Sequence, residues 1–574
     1  MADARFLRCE TFALATLITM AWGASALAGS AHWNGAPKNN DWNTTGNWNP
    51  ATVPNGPDDE ATFDASAMTN ISLSAATQVR NIVFAPAANS YIITARPNVT
   101  LEISGPGVIN SSSPIQNFVS QSNGNGEIGT VRFSNSAAAG DKTNFTTNGG
   151  LVFGAPGSSG VEFFDNSIAG NGSFTNNGSS TETVLGGETA FHDTSSAGNG
   201  TFTNNGANIG TSNAGAGLVL FLDNSTASHG TFTNNAATLF GARGGVVQFF
   251  QNSNAGQATF INNGATGFGI GSGGTALLGN SSGGDATFIN NGGTTTFAEN
   301  ATAGHAILIA NASANGIPGG AISFFGDSSG GTSRVELFGD GLLEVSTHNV
   351  PGVTIGSLQG DGNVFLGSRN LTVGSNNRSL EFSGVIQEGG GRLPGGMLTK
   401  IGTGTLALQG ANTYPGITTV NGGVLNVDGS LVGPVTVNRG LLGGSGSVGP
   451  VTVNSGGQLS PGEDMGILNV HGDLVMSASS TYVAVLFGTA VGTEHNQAIV
   501  SGKINLTKTS LVVRLEYFPA VGDKFVIIKN NGLGPVKGKF NGLTEGKKFD
   551  VDGLKFRISY KGGDGNDVVL SRFR

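Results

Sequence analysis

The sequence predicts an all-β fold: a single-stranded parallel β-helix solenoid, right-handed, with an N-terminal and a C-terminal cap. A repeated motif, short strand-like segments and a long stretch without proline support this prediction. The motif Thr-Phe-Thr-Asn-Asn-Gly recurs five times almost unchanged, and its phenylalanines are Phe174, Phe202, Phe232, Phe260 and Phe288. They are spaced by 28, 30, 28 and 28 residues. Such regular spacing indicates one supersecondary unit per step, each stacked on its neighbours.

Each unit contains further strand-like segments. An apolar segment precedes the motif, as at residues 218–225 (Leu-Val-Leu-Phe-Leu-Asp-Asn-Ser), and a looser run lies between units, as at residues 181–185 (Thr-Glu-Thr-Val-Leu). Three short strands separated by Gly, Asn and Ser fit a triangular coil. In Thr201-Phe202-Thr203 the alternation sends the ring inward and the hydroxyls outward, so successive rings stack at about 4.8 Å.

The residues between the strands agree with a coil. Asn and Gly tolerate positive φ, so the Asn-Asn-Gly of each motif is interpreted as a corner. No proline occurs between Gly157 and Ile317, which leaves every backbone N–H free to join a ladder. The right-handed sense is expected because parallel crossovers are overwhelmingly right-handed.

The first 28 residues are typical of a secretory signal peptide. Arg5 and Arg8 precede an apolar stretch, and Ala26-Leu27-Ala28 supplies small residues for cleavage. Cys9, the single cysteine of the chain, lies inside this segment. Export to the cell surface or the medium is therefore expected, with the periplasm as an open alternative, and no later stretch is apolar enough to span a membrane as a helix.

Charge is unevenly distributed along the chain. The net charge is −9 for all 574 residues, yet residues 500–574 contain 10 Lys and 4 Arg against 7 Asp and Glu, which gives +7. Between Thr143 and Ser333 the only Lys or Arg is Arg243. The basic excess could favour an acidic surface, but basic residues alternate with apolar ones as on the wet face of strands. We therefore expect no nucleic-acid partner.

The sequence divides into five predicted segments. These are a signal peptide (1–28), an N-terminal cap with the first coils (29–110), the coils with 28–30-residue repeats (111–345), a second β-helical segment (346–470) and a C-terminal cap (471–574). The first cap contains Trp33, Trp42 and Trp48. Large rings suit the covering of an open first rung, and exposed tryptophans could instead stack on sugar rings, so a weak glycan contact is also considered.

Residues 398–427, from Leu-Thr-Lys-Ile-Gly-Thr-Gly-Thr-Leu to Gly-Gly-Val-Leu-Asn-Val, resemble the autotransporter-associated β-strand repeat nearly position for position. The tryptophan-rich start and the final hundred residues are also similar to autotransporter passengers. The resemblance implies an exported β-helix. The export barrel of that family needs roughly a dozen membrane strands, whereas this sequence stops at Arg574. The resemblance is therefore to a passenger without its translocator, and the export route and a truncated or split gene stay open.

The sequence offers few candidates for chemistry. Asp165, Asp193 and Asp223 stand at related repeat positions, but Gln251 interrupts the column, and a corner role is favoured over catalysis. His192 precedes Asp193 without a convincing nucleophile. Residues 562–570 match a calcium-binding nonapeptide once, whereas such ions lie between consecutive repeats. We therefore expect a hairpin turn there, with no catalytic residues, metal or cofactor.

These observations predict an exported, non-enzymatic surface protein, adhesin-like or structural. It would bind glycans or other surface molecules through ladders of Thr, Ser and Asn on an extended polar face, each contact being weak. Two alternatives remain: a carbohydrate-active β-helix enzyme, which needs converging carboxylates, and a barrel-less autotransporter fragment without a role of its own. The sequence does not disclose the oligomeric state.

Overall fold

Three faces of short strands wind repeatedly around one apolar core. The computed structural model describes residues 29–574 apart from 124–126, 150, 153–159, 181–183, 211–214, 314–317, 390–394 and 463–464. The predicted signal peptide therefore lies outside the described residues. The only helix among the described residues is one 3-10 turn, Thr45–Asn47. No helix in this described part is long and apolar enough to cross a membrane.

Face 1 is a 16-stranded sheet that is parallel except at its first pair. In pairing order its strands are Trp48–Asn49, Ala31–Trp33, Gly56–Phe63, Thr77–Phe84, Thr100–Asn110, Thr130–Phe133, Val161–Phe163, Glu188–Phe191, Leu218–Phe221, Val246–Phe249, Gly274–Leu277, Thr294–Phe297, Ala321–Phe324, Leu342–Glu344, Asn363–Phe365 and Val385–Gln387. A second sheet continues this face, because Ile386 donates its N–H to the Asn412 side chain and accepts from the N–H of Thr413. Its strands are Ala411–Asn412, Ser430–Leu431, Ser447–Val448, Ile467–Val470, Gln497–Val500, Lys524–Asn530, Asp567–Arg572, Leu554–Gly562 and Lys548–Val551.

Face 2 is narrow in the first half of the molecule. Single-residue parallel bridges join Ala138, Ile168, Ser196, Thr226, Asn254, Ser282, Thr302 and Ser329 in a column. From residue 352 onward the face widens into an eight-stranded parallel sheet. Its strands are Gly352–Ile355, Asn370–Val373, Met397–Lys400, Thr418–Val420, Val435–Val437, Val451–Val453, Leu474–Met476 and Ile504–Asn505.

Face 3 contains the repeated phenylalanine motif, and its parallel pairings run in chain order from Asn70–Leu73 to Ser510–Leu515. The strands are Asn70–Leu73, Ile92–Ala95, Gln116–Ser120, Thr143–Thr147, Ser173–Asn176, Thr201–Asn204, Thr231–Asn234, Thr259–Asn263, Thr287–Asn291, Ile307–Ala310, Arg334–Leu337, Ser357–Gly360, Leu380–Phe382, Thr405–Leu408, Val424–Val427, Gly440–Gly443, Gly457–Leu459, Thr481–Leu486 and Ser510–Leu515. Thr201 pairs with Thr231 and Asn204 with Asn234, so equivalent motif positions lie directly above one another. The all-β parallel solenoid is confirmed, and its right-handed sense stays a prediction.

The composition of a central coil differs from the prediction. Two strands and one bridge make the coil, because the run expected as a third strand lies outside the three faces. Within that run Val184–Leu185 pairs antiparallel with Leu151–Val152, and residues 181–183 are not described. The third side of the coil is instead the single-residue face 2 bridge, which lies between the face 1 strand and the face 3 strand. Within the described residues, a full triangle of three strands occurs only from residue 352 onward.

The corners also differ from the prediction. The first Asn of each Asn-Asn-Gly lies within a strand and is buried, as Asn176 and Asn204 show. The glycine that follows serves a close approach of two coils, since a Cβ on Gly178 would lie 2.1 Å from the carbonyl oxygen of Gly206. Of the motif glycines, Gly292 has positive φ (79°), whereas Gly178, Gly206 and Gly264 do not. Positive φ also occurs on either side of the face 2 bridge, at Asp193 (53°) and Gly198 (57°).

Candidate functional site

The predicted N-terminal cap is a cluster of buried tryptophans. Trp33, Trp42 and Trp48 are at most 2% exposed, and the rings of Trp33 and Trp42 lie 5.1 and 5.0 Å from that of Trp48. All three indole N–H groups donate to backbone carbonyls, of Met68, Pro54 and Trp42. The expected glycan contact is corrected here, because ring faces that pack on one another and on Phe63 cannot stack on a sugar.

The five motif phenylalanines form one stack inside face 3. Consecutive ring centroids lie 4.6 to 4.8 Å apart, with interplanar angles of 8° to 11°. A second column inside face 1 was not expected from the sequence; it consists of Phe133, Phe163, Phe191, Phe221 and Phe249. Within each coil the two columns meet edge to face, as Phe221 and Phe232 do at 5.7 Å. Such edge contacts are favourable because ring edges are positive and ring faces negative.

Two asparagine ladders run beside the phenylalanine stack. In the inner ladder Asn176, Asn204, Asn234 and Asn262 are buried, and each donates its side-chain N–H to the Oδ1 of the next Asn at 2.7 to 2.8 Å. In the outer, half-buried ladder the donors point the opposite way, as from Asn235 to Asn205 at 3.0 Å. These amides are therefore used within the rod. The prediction that asparagine ladders bind a partner is corrected for the buried inner ladder. The half-buried outer ladder and threonines such as Thr201 and Thr231 remain at the surface of this face.

The aspartates of the repeats have a structural role. Asp165, Asp193 and Asp223 adopt positive φ. Asp193 Oδ2 accepts the N–H of Asp165 at 3.0 Å, and Asp223 Oδ2 accepts that of Asp193 at 3.2 Å. Gln251 continues the same column by accepting the N–H of Asp223 at 2.7 Å. Each side chain thus bonds to the corner of the preceding coil, which is the corner role expected from the sequence.

One cluster on the outer side of face 1 has the residue types of an acid–base site. Arg132 donates twice to Glu162, at 2.9 and 2.8 Å, and the His192 ring stacks on Phe164 with centroids 4.3 Å apart. Burial lowers the pKa of His192, although nearby carboxylates oppose the shift. Ser195 Oγ donates to the backbone carbonyl of His192 at 2.6 Å rather than to its imidazole. The cluster therefore lacks the nucleophile–base hydrogen bond of a serine hydrolase.

Lys400 is an inward-facing cation. It is the last residue of the face 2 strand Met397–Lys400 and is 1% exposed. Its Nζ donates hydrogen bonds to the carbonyls of Ile401 (2.7 Å) and Gly422 (3.4 Å). Burial lowers its pKa to about 8. Both acceptors are backbone carbonyls, so the ammonium group serves as a hydrogen-bond donor to the turns that follow two face 2 strands.

The C-terminal cap folds over the last coil. Strands Leu554–Gly562 and Asp567–Arg572 pair antiparallel, so residues 563–566 form the hairpin turn expected at the nonapeptide match. Lys555 and Arg557 are exposed while Phe556 and Ile558 are buried, which is the alternation expected of a wet strand face. Among the residues the structure describes, no group of three His, Cys, Asp or Glu side chains is arranged to hold a metal ion.

Among the described residues of the central coils, the most exposed apolar group is a loop ridge that sequence analysis missed. We define this loop ridge as residues 237–245 and 265–273, which connect face 3 to face 1 in successive coils. Phe240 and Phe268 are each 75% exposed, and Leu239 is 45% exposed. A signal was present in the sequence, because bulky apolar residues interrupt the Gly, Asn and Ser of these connections.

The loop ridge is held by its own contacts. Gly241 donates its N–H to the carbonyl of Gly269 at 2.7 Å, and Ala237 donates to that of Gly271 at 2.9 Å. Beneath the tips, a second buried cluster is formed by Ala207, Ala237 and Ala242, with Ile209 and Ile270 packed against it. The loops are thus stacked like the coils below them, and the phenylalanine tips project from an ordered base.

Comparison with known proteins agrees with this architecture. Residues 398–427 match the family described as passenger-associated-transport-repeat. This chain is similar to autotransporter passengers. It is 38% identical over 102 residues to the adhesin BmaC autotransporter of Brucella suis biovar 1 (strain 1330), which covers 17% of this chain and 3% of that protein.

A second relative is named for a different function. The passenger-like chain is 32% identical over 176 residues to an extracellular serine protease of Serratia marcescens, covering 29% of the chain and 16% of the relative. The chain thus spans about a sixth of the length of that protein and far less of the Brucella adhesin. The matched 398–427 segment supplies strands to faces 2, 3 and 1 in turn, from Met397–Lys400 to Val424–Val427.

Proposed function

We propose that this passenger-like chain is an exported, non-enzymatic surface rod that binds a partner along its side, as an adhesin-like or structural protein. The observation that supports this most is the exposed flank of the central coils formed by the loop ridge, in which Arg243 is the only charged residue. Between Thr143 and Ser333 the only Lys or Arg is Arg243. Phe240 and Phe268 project from that flank. The similarity to a Brucella adhesin supports the same function.

Binding would combine two kinds of contact. The loop ridge supplies apolar area, which stabilises a complex by about 25 cal/mol per Å² removed from water. The outward threonines of face 3 supply hydroxyls that repeat at the spacing of the coils, so a long partner could be contacted at many rungs, each weakly. Ordered loops also lose less conformational entropy on binding than mobile ones.

The test is adherence of beads coated with the mature chain to bacterial and epithelial cell monolayers. We expect the double variant Phe240→Ser with Phe268→Ser to reduce adherence about tenfold, since two large apolar anchors are lost. The control is Val432→Ser with Leu533→Ser, which removes apolar side chains that are 63% and 110% exposed far along the chain. Equal losses in both double variants, or no adherence by the wild type, would contradict the proposal.

A catalytic passenger is the second candidate, because one relative is an extracellular serine protease. Labelling of the purified chain with a fluorophosphonate probe and incubation with plant and bacterial polysaccharides address the protease and the carbohydrate-active enzyme separately. We expect neither labelling nor cleavage. Stoichiometric labelling of one serine, or depolymerisation abolished by one Asp or Glu substitution, would favour the enzyme instead.

A further inference from the structure

The last strand of face 3, Ser510–Leu515, is paired on one side only within the described structure. It runs parallel to Thr481–Leu486. Ser510 and Glu516 donate their N–H groups to the carbonyls of Ser480 and Leu486, at 2.8 and 2.9 Å. Strand geometry then directs the N–H and C=O groups of Leu511, Val513 and Leu515 to the opposite side. That side is an open strand edge, which is a template for another strand.

Three other sheet ends in the described part are covered or protected. The first strand of face 3 is covered by the cap, where Trp42 donates its N–H to the carbonyl of Ser72 at 3.0 Å. The last strand of face 2 is covered by Lys537, whose N–H donates to the carbonyl of Ile504 at 2.9 Å. The final strand of face 1, Lys548–Val551, places charged Lys548 and Asp550 at its edge. Charges of that kind discourage edge pairing.

Strand Ser510–Leu515 has less of that protection. Its sequence is Ser-Leu-Val-Val-Arg-Leu, with Arg514 as its one charged residue. Leu511, Val513 and Leu515 are only partly buried against the end of the core, and Val512 on the outer side is 42% exposed. An added strand would therefore complete backbone hydrogen bonds and cover apolar side chains together, provided that its own inward residues were apolar.

We propose that this edge binds the same edge of a second copy of the chain, forming an end-to-end dimer with two-fold symmetry. A two-fold axis makes the strands antiparallel and each surface its own partner. With Val513 on the axis, Leu511 of one copy faces Leu515 of the other, so apolar residues meet on the core side. On the outer side Val512 faces Arg514, which keeps the two arginines from facing each other. Three residue pairs that each exchange two bonds give about six intermolecular hydrogen bonds.

Hydrogen exchange and mass measurements on the full mature chain test this directly. Between about 1 and 100 µM we expect light scattering to show a shift from the chain mass to twice that mass. Over the same range the amides of Leu511, Val513 and Leu515 should become protected. The amides of Val512 and Arg514 face the neighbouring strand and should be protected throughout, which provides an internal reference.

Val513→Pro is the decisive variant. Its N–H faces the open side, so proline removes no bond of the rod but blocks intermolecular pairing, and we expect a monomer with an unchanged circular dichroism spectrum. Val512→Thr, on the outer side of the same strand, should still dimerise. A wild type that stays monomeric, or a dimer that survives Val513→Pro, would overturn the proposal. Protection of the three amides in a monomer would also overturn it, by showing that another segment of the chain covers the edge.

Discussion

At the scale of single residues, the inner asparagines contribute through hydrogen bonds that water cannot replace. Asn234 donates to Asn262 Oδ1 at 2.7 Å and to the Gly274 carbonyl at 2.9 Å, and accepts from Asn204 at 2.8 Å. The side chain is completely buried. Its removal takes one hydrogen-bond partner from each of Asn204 Nδ2, Asn262 Oδ1 and the Gly274 carbonyl, and a buried hydrogen bond lost in this way costs about 1–3 kcal/mol.

We therefore predict that Asn234→Ala lowers the free energy of unfolding by about 2–5 kcal/mol. The adjacent Asn235→Ala should cost less than about 1 kcal/mol, because Asn235 is half-buried and water can replace its bond to Asn205. Denaturant unfolding measures both values, and hydrogen exchange of strand Thr231–Asn234 locates the effect. Equal costs for the two variants would show that the inner ladder is no more important than the outer one.

Lys400 gives a pH dependence at the same scale. Its pKa falls from 10.5 to about 8 on folding because burial disfavours the charge. The folded state then binds fewer protons than the unfolded state between these two values. Stability therefore rises with pH across that window, and the burial cost is fully present below pH 8.

We predict that the wild type gains stability relative to Lys400→Met as the pH rises from 8 to 10.5. The difference should grow by about 3 kcal/mol in total, since one pKa unit corresponds to about 1.4 kcal/mol. Chemical unfolding of both proteins across this range measures it, and subtraction removes the titration of other groups. A constant difference would mean that Lys400 keeps its ordinary pKa in the fold.

At the scale of elements, the two phenylalanine columns lock each coil to its neighbours. Phe232 stacks on Phe202 and Phe260 at 4.6 and 4.8 Å, and meets Phe221 edge to face at 5.7 Å. A truncated ring leaves a cavity that the flanking rings cannot fill, because the strand ladders fix their positions. We predict that Phe232→Ala costs about 3–5 kcal/mol of unfolding free energy.

Phe240 is the matched control in the same coil. It is 75% exposed at the tip of the loop ridge, so Phe240→Ala should change stability by less than about 0.5 kcal/mol. Thermal unfolding followed by circular dichroism distinguishes the two variants. Similar midpoints would mean that the columns do not stabilise the coil, whereas a large effect at Phe240 alone would make the ridge part of the core.

At the scale of the whole molecule, the rod behaves as a stack of nearly interchangeable coils. Residues 232–287 make up two units of 28 residues between equivalent phenylalanines. Their deletion joins Thr231 to Phe288 and restores the motif in register. Because each coil contacts only its neighbours, we predict a folded rod shortened by about 10 Å, measured by small-angle X-ray scattering.

Deletion of residues 232–245 tests whether register matters. This removes half a coil, so strands of face 3 would be forced onto face 1 and the ladders could not align. We expect loss of the β-sheet circular dichroism signal for much of the rod. If the half-coil deletion folds as well as the two-coil deletion, the stacking of equivalent positions is not what stabilises the molecule.

The sequence by itself determined the repeating coil, the face 3 stack of Phe174, Phe202, Phe232, Phe260 and Phe288, and the aspartate corners. These features depend on spacing and on local alternation, which are visible along the chain. Sequence analysis missed the face 1 column, because the apolar segment before each motif was recognised but its phenylalanines were not aligned between repeats. It also placed the asparagine amides on the surface. Whether Asn234 faces inward or Trp42 is exposed depends on what the next coil covers.

Only the tertiary structure decided which groups are left for binding. Phe240 and Phe268 project because their connections stack into a ridge. Strand Ser510–Leu515 keeps an open edge because the C-terminal hairpin strands extend face 1 and Lys537 covers the end of face 2. The physical reason is the same in each case. Burial and edge pairing are set by contacts between residues some 28 positions apart or more. The period that predicts the coil is instead visible in the sequence as the spacing between equivalent residues.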